Sequence, residues 1–306
     1  MHKISIVIPV YNSEKTIVNL VSMLIENITN FSLEIILIND NSKDNSAESC
    51  VSLYKKYPKI VKFYSLAKNV GEHNAVMAGL NNATGQYTII MDDDFQNPVS
   101  EVVKLIEYSL ANSYDVIYTF YDKKNHSFWR NLGSKFNDKM ANLIINKPKN
   151  LYLSSFKSVS NFCVKQIIKY DLPFPYIDGL ILQTTDNIGK IKVKHSQRKE
   201  GKSQYTIIKL ISLWLNMFTN FSVLPLRFAT LLGFVFSIIA FLIGIAGIII
   251  KFTEPSVPMG YASLIVSISL FSGIQLIAIG MVGEYVGRIF LSINKQPQYS
   301  IKQRFE

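Results

Sequence analysis

Three consecutive aspartates, Asp92, Asp93 and Asp94, follow an apolar run of the chain. Adjacent carboxylates repel one another when all are ionised, so a bound cation would stabilise their charged form. Oxygen ligands suit Mg²⁺ and Mn²⁺, and Mg²⁺ is commonly held by one or two carboxylates together with substrate phosphates. In an extended chain, Asp92 and Asp94 point to one side and Asp93 to the other. These residues therefore predict a divalent-metal site, with a solvated acidic turn as the simpler alternative.

Short apolar runs alternate with longer amphipathic stretches in the first part of the chain. Five of these runs predict buried strands, at residues 4–10, 35–38, 61–65, 87–91 and 116–120. With helices between them, the alternation indicates a parallel sheet with right-handed crossovers. Ligands of such sheets bind beyond the carboxyl ends of the strands. The segments PVYN, NDNS, NVGEHN and MDDDFQ end or follow the first four runs, so we expect them to meet at one edge.

Several other types of site lack support in the sequence. It contains no G-x-x-x-x-G-K-[ST] phosphate loop and no G-x-G-x-x-G dinucleotide motif. Its two cysteines, Cys50 and Cys163, are too few for a disulfide framework and have no zinc-ligand spacing. We therefore expect a reducing compartment and no structural metal.

The C-terminal third holds most of the apolar excess. Apolar residues make up 48% of the sequence and charged residues 18%, a composition too apolar for a disordered chain. Residues 228–250 carry no charged side chain, and as a helix they would extend about 34 Å, enough to cross a hydrocarbon core of about 30 Å. A second uncharged stretch ends at residue 283, after the helix breakers Pro255 and Pro258. The pattern predicts a hairpin of two transmembrane helices, with two buried core helices as the alternative.

The sequence is divided on these grounds into four segments. The segment before the predicted hairpin has apolar residues at near-helical spacing, which predicts an amphipathic helix in the membrane interface. A helix packed against the soluble core is an alternative interpretation of that spacing. The segments are a soluble domain at 1–205, an interface segment at 206–227, two transmembrane helices within 228–283 (about 228–250 and 261–283), and a basic tail at 284–306.

Positive charge is concentrated beside the predicted spans. The net charge is +10. Residues 186–227 contain eight Lys and Arg against two acids, and residues 284–306 contain four against two. Because basic residues near span ends stay in the cytoplasm, we predict a multi-pass membrane protein whose soluble domain and both termini are cytoplasmic. The same basic belt attracts anionic membrane lipids, and no nucleic-acid partner is expected.

Five segments of the chain carry motifs in a fixed order: ISIVIPVYNSEKTI, IILINDNSKDNS, NVGEHNAVMAGLNNATGQYTIIMDDDFQNP, HSQRKEGKSQY with NFSVLPLR, and GEYVGRIF. Together they resemble glycosyltransferase family 2, and within it the polyprenyl-phosphate group, dolichyl-phosphate mannose synthase-like and of the bacterial undecaprenyl-phosphate type. The resemblance covers nearly the whole chain. It implies an α/β architecture: a GT-A domain with a Rossmann-like, mostly parallel sheet, then an amphipathic interface helix and a two-helix transmembrane hairpin.

The resemblance also assigns roles to individual residues. It implies that Asp40 contacts the nucleobase or ribose of a nucleotide-sugar donor, and that Asp92 contacts the nucleoside and the sugar. Asp94 and Gln96 are implied to hold Mg²⁺ or Mn²⁺, which would neutralise charge on the leaving nucleoside diphosphate. The further donor-binding candidates are Pro9, Tyr11, Asn12, Glu14, Lys68 and Asp93, and the implied catalytic set is Asp92, Asp94 and Arg198.

Basic and hydroxyl side chains are the candidates for binding the acceptor phosphate. Arg198, in the HSQRKEG segment, would clamp phosphate with the planar, bidentate geometry of a guanidinium, and a lipid-facing cation is the alternative. The other candidates are Lys202, Ser155 and Lys157. For Lys157 a surface lysine is an equally good interpretation.

The segment SSFKS at residues 154–158 departs from the family pattern. Many relatives carry Gly-Asp-Phe-Arg-Leu there, with the Asp proposed as a catalytic base, and Ser155 stands at its position. We assign no general base, because a phosphate monoester, with a second pKa near 6, is largely dianionic at neutral pH and attacks without losing a proton. Asp178 is an alternative base, although a turn residue is the simpler interpretation.

The resemblance as a whole implies a metal-dependent, inverting enzyme at the cytoplasmic face of the inner membrane. It would transfer one sugar from a nucleotide sugar, with a UDP-sugar preferred, to polyprenyl (undecaprenyl) phosphate, supplying a lipid-linked sugar for cell-envelope glycans. The alternative is a non-catalytic membrane scaffold or regulatory protein, suggested by Ser155 and by Asn39 in place of the first acid of the usual Asp-Asp pair. Glycines in the apolar helices would allow packing within one hairpin or between chains of a homo-oligomer.

Overall fold

A computed structural model describes residues 2–121, 148, 151–194, 224–253, 260–294 and 296–306. The chain divides into two compact units. Unit 1 comprises Met1–Thr206 together with Lys295–Glu306, and unit 2 comprises Ile207–Asn294. The C-terminal residues therefore belong to the same unit as the N-terminal domain.

The described part of unit 1 alternates strands and helices, as the sequence predicts. Its strands are β1 Lys3–Val10, β2 Ser32–Asn39, β3 Val61–Leu66, β4 Tyr87–Ile90, β5 Val116–Phe120, β6 Lys157–Ser160, β7 Ile188–Lys192 and β8 Ile301–Phe305. Its helices are α1 Ile17–Asn27, α2 Ser46–Lys56, α3 Glu72–Leu80, α4 Val99–Ala111, α5 Asn161–Ile167 and α6 Ile177–Thr184.

All eight strands form one sheet in the order β7-β5-β6-β4-β1-β2-β3-β8. The five predicted strands are confirmed as β1 to β5, and the predicted parallel pairing is confirmed for β1 with β2, β1 with β4 and β2 with β3. Strands β6, β7 and β8 were not predicted. The sequence of β6, KSVS, is short and polar, so it lacks the apolar signal that marks the other central strands.

Strand β6 runs antiparallel to both of its neighbours. Lys157 is paired with Ile90 of β4 and with Tyr118 of β5. An antiparallel strand begins at the edge where its parallel neighbours end. The residues just before Lys157 therefore lie at the carboxyl edge of the sheet, beside the end of β4.

The sheet is buried on both faces, which explains the continuous apolar runs of β1 and β2. Ile6 and Ile8 face a cluster that includes residues of α1 and α4, whereas Val7 faces a smaller cluster with residues of α3. Helix α3 approaches β1 so closely that a Cβ atom at Gly79 would lie 2.3 Å from Val7. Glycine is therefore required at this crossing.

The C-terminal residues complete one edge of the sheet rather than forming a featureless tail. Strand β8 pairs antiparallel with β3. Phe305 stacks on Phe63, with ring centroids 5.7 Å apart, and the Tyr64 hydroxyl donates a hydrogen bond to the Glu306 carboxylate over 2.8 Å. The predicted basic tail thus contains an ordered strand, which the sequence interpretation missed because IKQRF lacks a continuous apolar run.

Unit 2 is described through two long helices, α7 Leu224–Thr253 and α8 Tyr261–Ile293, which contact each other. Within the described residues, Leu270–Leu291 of α8 is the one segment long and apolar enough to cross a membrane, with a mean hydropathy of 1.5 over 22 residues. Helix α7 contains a shorter apolar segment, Ala229–Ile239. The two-span hairpin therefore stays a prediction. Most of the predicted interface segment, 206–223, lies outside the described residues.

Candidate active site

Four loops leave the carboxyl edge of the sheet, after β1, β2, β3 and β4, and each contains a residue with positive φ. These residues are Asn12 (φ 55°), Asn41 (φ 55°), Gly71 (φ 86°) and Phe95 (φ 60°). Positive φ is uncommon outside glycine and is unusual for a bulky side chain such as that of Phe95. The backbone at Phe95 is therefore strained, and such strain concentrates at functional sites, because the surrounding structure must hold it in place. The geometry singles out this edge, in agreement with the sequence prediction.

The loops after β1 and β2 are joined by reciprocal hydrogen bonds. The Lys43 amide N–H donates to Asn12 Oδ1 over 2.9 Å, and the Asn12 amide N–H donates to Ser42 Oγ over 3.0 Å. The Asn45 amide N–H donates to Glu14 Oε2 over 3.1 Å. Asn12 and Glu14, both predicted to bind the donor, thus also fix the shape of the loop.

Asp40 anchors the loop that follows β3. Its carboxylate is buried and accepts the amide N–H groups of Val70 (2.7 Å) and Gly71 (2.9 Å). Gly71 precedes α3, and its positive φ gives the loop a sharp turn. The exposed Lys68 lies in the same loop. Asp40 was predicted to contact the nucleotide, and the structure gives its carboxylate this positioning role as well.

The three aspartates follow β4 as predicted, and their surroundings differ. Asp94 is buried, and its Oδ1 accepts the amide N–H of Gln96 over 3.0 Å. Asp92 and Asp93 are partly buried. The Oδ2 atom of Asp93 is buried and receives no hydrogen bond from the described residues. A buried carboxylate oxygen without a donor is costly, so it favours a ligand or an ion at this position.

Electrostatics disfavour the ionised forms of Asp92 and Asp93. Burial raises the pKa of Asp92 to about 7, and the nearby charges of Glu72 and Asp94 add to the effect. Burial likewise raises the pKa of Asp93 to about 7 and outweighs a hydrogen bond from the Ser13 side chain, and the charges of the two neighbouring aspartates add to the rise. Such shifts are typical of functional sites. A cation bound here would restore the ionised state.

The oxygen-rich donor set fits Mg²⁺ or Mn²⁺. Within the described residues, no three His, Cys, Asp or Glu side chains converge closely enough to hold a metal ion by themselves. This arrangement suits an ion that shares its coordination sphere with ligand phosphates. Asp94, with Gln96 beside it, is the candidate protein ligand for such an ion.

Ser155 contacts the acidic cluster directly. Its hydroxyl donates a hydrogen bond to Asp92 Oδ2 over 2.7 Å, which lowers the pKa of Asp92 against the effect of burial. The antiparallel direction of β6 explains this contact, because it brings the residues before Lys157 to the end of β4. Where relatives are expected to carry a carboxylate, this chain presents a hydrogen-bond donor.

Two sequence interpretations for this region are wrong. Lys157 is not a surface lysine, since it is 3% exposed and forms an ion pair with Asp178. Asp178 is not a turn residue, since it lies in the first turn of α6 and also accepts a hydrogen bond from the Tyr118 hydroxyl over 2.8 Å. The Lys157–Asp178 ion pair joins residues that are 21 positions apart in the sequence. The ammonium of Lys157 already has a partner within the protein, and its contact with an acceptor phosphate stays a prediction.

His73 was not predicted as a site residue, although its motif follows β3. Its ring packs edge-on against the ring of Tyr176, with centroids 5.2 Å apart. Burial lowers the pKa of His73 to about 4, so the ring is neutral at physiological pH. Its position in the first turn of α3, after a predicted strand, was the signal available in the sequence.

The remaining predicted residues divide into two groups. Pro9 and Tyr11 are partly buried at the end of β1 and in the following loop. Arg198 and Lys202 lie outside the described residues, in the range 195–223. The structure therefore brings Asp92, Asp94 and Ser155 to one place, while the two predicted phosphate-binding cations stay predictions.

Comparison with known proteins gives a consistent result. The family model described as Glycosyl transferase family 2 matches residues 5–166. An undecaprenyl-phosphate 4-deoxy-4-formamido-L-arabinose transferase from Pectobacterium atrosepticum is 30% identical over 304 residues, covering 98% of this chain and 93% of that protein.

Two solved structures of glucosyl-3-phosphoglycerate synthase from Mycobacterium tuberculosis are similar in fold. The complex with UDP has a TM-score of 0.52 at 16% identity, covering 71% of this chain and 79% of that one. The complex with Mn²⁺, UDP-glucose and phosphoglyceric acid has a TM-score of 0.50 at 18% identity, covering 71% and 80%. These likenesses confirm the predicted GT-A architecture of the N-terminal domain.

Proposed function

The chain belongs to glycosyltransferase family 2 and is a glycosyltransferase, and from this premise we propose that it transfers one sugar from a nucleotide sugar to undecaprenyl phosphate. The observation that carries the proposal is the cluster Asp92–Asp94 at the end of β4, with an unpartnered carboxylate oxygen and raised pKa values. The acceptor is supported by the undecaprenyl-phosphate transferase that is similar over nearly the full chain.

The donor is proposed to bind over the loops after β1 to β4. Asp40 fixes the loop after β3, so that Lys68 and the turn at Gly71 present backbone and side-chain groups to the nucleotide. Pro9, Tyr11 and Asn12 are proposed to border the same space. A UDP-sugar is the preferred donor.

Asp94 and Gln96 would hold the divalent metal, Mg²⁺ or Mn²⁺. When bound, the ion supplies Lewis-acid stabilisation of the negative charge on the leaving nucleoside diphosphate. Ser155 keeps Asp92 oriented through its hydrogen bond. The solved Mn²⁺ complex of the same fold supports the choice of ion.

The acceptor phosphate needs no general base from the protein. A lipid monophosphate is largely dianionic at neutral pH and attacks the anomeric carbon as it stands. Arg198 and Lys202 are proposed to orient this phosphate for in-line attack with inversion. A serine at position 155 is compatible with this chemistry, because the reaction does not require a general base at that position.

The non-catalytic alternative has little support. Ser155 and Asn39, the two substitutions that suggested it, both make defined contacts. Ser155 bonds to Asp92, while the Asn39 amide donates to Ser65 Oγ over 3.0 Å and its Oδ1 accepts from the Ser42 amide. Both side chains support the loops of the site, and neither change removes an aspartate of the 92–94 cluster.

The path of the chain supports membrane anchoring from one side. Unit 1 contains residues 1–206 and strand β8, which precede and follow unit 2 in the sequence. A chain that leaves and rejoins one folded sheet must cross a membrane an even number of times. Such a path is compatible with the predicted two-span hairpin and with both termini on one side of the membrane, and the basic residues beside the predicted spans favour the cytoplasmic side.

A thin-layer radiochemical assay tests the proposed function. The full-length protein would be incubated with undecaprenyl phosphate, Mn²⁺ or Mg²⁺, and a panel of labelled UDP-, GDP- and dTDP-sugars. We expect one label to enter the organic phase with wild-type protein and with the control Asp186→Ala, which changes an exposed aspartate away from the site. Transfer should be absent with Asp94→Ala. Equal transfer by both variants, or no lipid product from any donor, would contradict the proposal.

A further inference from the structure

Among the described residues of unit 1, six large apolar side chains are exposed, and three of them lie in one stretch of sequence; the other three are Val18, Met23 and Tyr152. Phe162, Leu172 and Phe174 are 54%, 37% and 39% exposed and fall within 13 residues of sequence. Single exposed apolar residues are ordinary. A contiguous patch of such side chains marks an interaction surface.

Helix α5 divides this stretch into a buried and an exposed face. Cys163, Val164 and Ile167 are buried against the domain. Phe162 and Lys165, three positions apart, share the opposite, exposed face. Exposed Lys169 follows just after the helix, so two exposed cations lie within seven positions of Phe162 in the sequence.

The loop after α5 presents its apolar side chains on a constrained backbone. The sequence LPFP places Pro173 and Pro175 around Phe174, and each proline fixes one backbone dihedral. The Tyr170 hydroxyl donates to the Phe174 carbonyl over 3.3 Å, and the Gln298 side-chain amide donates to the carbonyls of Tyr170 and Leu172, both over 2.8 Å. Leu172 and Phe174 are therefore held outward rather than free to fold back.

The loop continues directly into the site. Tyr176, two residues after Phe174, packs against His73. Asp178, two residues further, pairs with Lys157. A surface that contacts this loop would therefore lie close to the candidate active site.

We propose that Phe162, Lys165, Lys169, Leu172 and Phe174, here called the docking face, rest on a membrane surface that contains anionic lipid. Aromatic and aliphatic side chains enter the headgroup region, and lysines beside them are attracted to anionic headgroups. Asp171, the one acid between residues 162 and 174, leaves the face net positive. The inference rests on the proposed function, because a lipid-borne acceptor must be met at headgroup level.

Spin labelling of the full-length protein tests the docking face directly. Cys50 and Cys163 are both buried, so a thiol-specific nitroxide would attach to an introduced Phe174→Cys. The control label is Met23→Cys, at a position of similar exposure (42%) on α1. The protein would be placed in nanodiscs of phosphatidylcholine and phosphatidylglycerol at about 3:1, and in detergent. Collisions of each label with O₂ and with a water-soluble nickel chelate would then be measured.

We expect the label at position 174 to become several-fold more accessible to O₂ than to the nickel chelate in nanodiscs, while the label at position 23 stays accessible to the chelate. Lys165→Glu with Lys169→Glu should reduce this difference. Equal accessibility of both labels in nanodiscs overturns the proposal. Protection of position 174 from both agents in detergent also overturns it, since it would indicate contact with a second copy.

Activity distinguishes failure of this inference from failure of the proposed function. We expect Leu172→Ser with Phe174→Ser to lower transfer to undecaprenyl phosphate in nanodiscs about tenfold and to leave transfer to a short-chain, water-soluble prenyl phosphate unchanged. The control Val18→Ser with Met23→Ser should leave both unchanged. Equal loss with both acceptors overturns docking. Absence of transfer by the wild-type protein contradicts the proposed function, and the spin-label result then stands by itself.

Discussion

One buried carboxylate at the amino edge of the sheet and a cluster of carboxylates at the carboxyl edge differ in how far the protein supplies them with hydrogen-bond and ion-pair partners. At the amino edge, Glu34 of β2 is buried and accepts hydrogen bonds from Ser5 Oγ (3.0 Å) and from the Thr84 hydroxyl (2.7 Å) and amide (3.1 Å). It also forms ion pairs with Lys3 and Lys62. At the carboxyl edge, Asp93 retains a buried oxygen without a donor among the described residues.

The pKa values reflect this contrast. Burial would raise the pKa of Glu34, but the hydrogen bonds from Thr84 and Lys3 and the charge of Lys62 outweigh burial and lower it. At Asp92 and Asp93, burial and neighbouring acids prevail and raise the pKa to about 7. A buried carboxylate whose hydrogen bonds and ion pairs are satisfied within the protein stabilises the fold. A buried carboxylate that lacks such partners and lies beside other acids is unsatisfied, and it remains available to bind a ligand.

The largest expected effect is on catalysis, at the unsatisfied edge. Asp94→Asn removes a charge on which metal and diphosphate binding is proposed to depend, so we expect transfer to fall at least about 10²-fold. The apparent unfolding temperature should be unchanged or higher. Steady-state kinetics with labelled donor and a thermal melt check both statements, with Asp186→Asn as the matched control. Wild-type rates from Asp94→Asn would remove this edge from the mechanism.

The next effect is on stability, at the satisfied edge. Glu34→Gln leaves two lysines without their anionic partner and should lower the free energy of unfolding by about 2 kcal/mol. The kcat measured well below the melting range should stay near the wild-type value. Urea unfolding followed by circular dichroism tests this, and Glu48→Gln on the exposed face of α2 serves as the control. Loss of kcat without loss of stability would show that Glu34 acts in catalysis rather than in stabilising the fold, and would contradict the contrast between the two edges.

A smaller effect is expected where a hydrogen bond tunes the acidic edge. Ser155→Ala removes the donor that lowers the pKa of Asp92, so that pKa should rise further. The acidic limb of the pH–rate profile should move to higher pH, with kcat near neutral pH reduced about tenfold. Ser155→Thr keeps the hydroxyl and should restore the wild-type profile. An unshifted profile in the alanine variant would show that Ser155 does not act through Asp92.

The smallest effect concerns the pH dependence of stability without metal. The pKa values of Asp92 and Asp93 are raised in the folded state, so protonation favours folding, and stability should increase as pH falls through about 7. We expect the apparent melting temperature to rise by about 1 to 2 °C between about pH 7.5 and pH 6. The lowered pKa of Glu34 acts in the opposite sense, because its contribution is present above its unfolded-state pKa near 4.5 and is lost at lower pH. A fall in melting temperature over the first interval would contradict the raised pKa values.

Local patterns were sufficient to predict the parallel half of the sheet and its acidic edge. The runs that became β1 to β4 are mostly apolar because both faces of the sheet are buried, and the polar segments at their ends predicted the loops correctly. Strand β6 escaped prediction because it is short and polar, and its Ser158 is buried through a side-chain hydrogen bond that it accepts from Ser109 Oγ over 2.8 Å. No local apolar pattern marks that kind of burial.

Pairings between distant residues were the part that the sequence could not supply. The burial of Lys157 depends on Asp178, and the contact of Ser155 with Asp92 joins positions 63 apart. Both follow from the antiparallel insertion of β6, which is a property of the assembled sheet. The positive φ of Phe95 likewise has no signature in its residue type.

The melting temperature of metal-free Asp92→Asn, measured beside wild-type protein near neutral pH, tests the contrast between the two edges most directly. Asparagine retains an oxygen that accepts the Ser155 hydroxyl and removes one charge from the crowded cluster. We predict a higher melting temperature for this variant together with loss of transfer, opposite in both respects to Glu34→Gln. A lower melting temperature would mean that Asp92 stabilises the fold as Glu34 does, and would contradict the account.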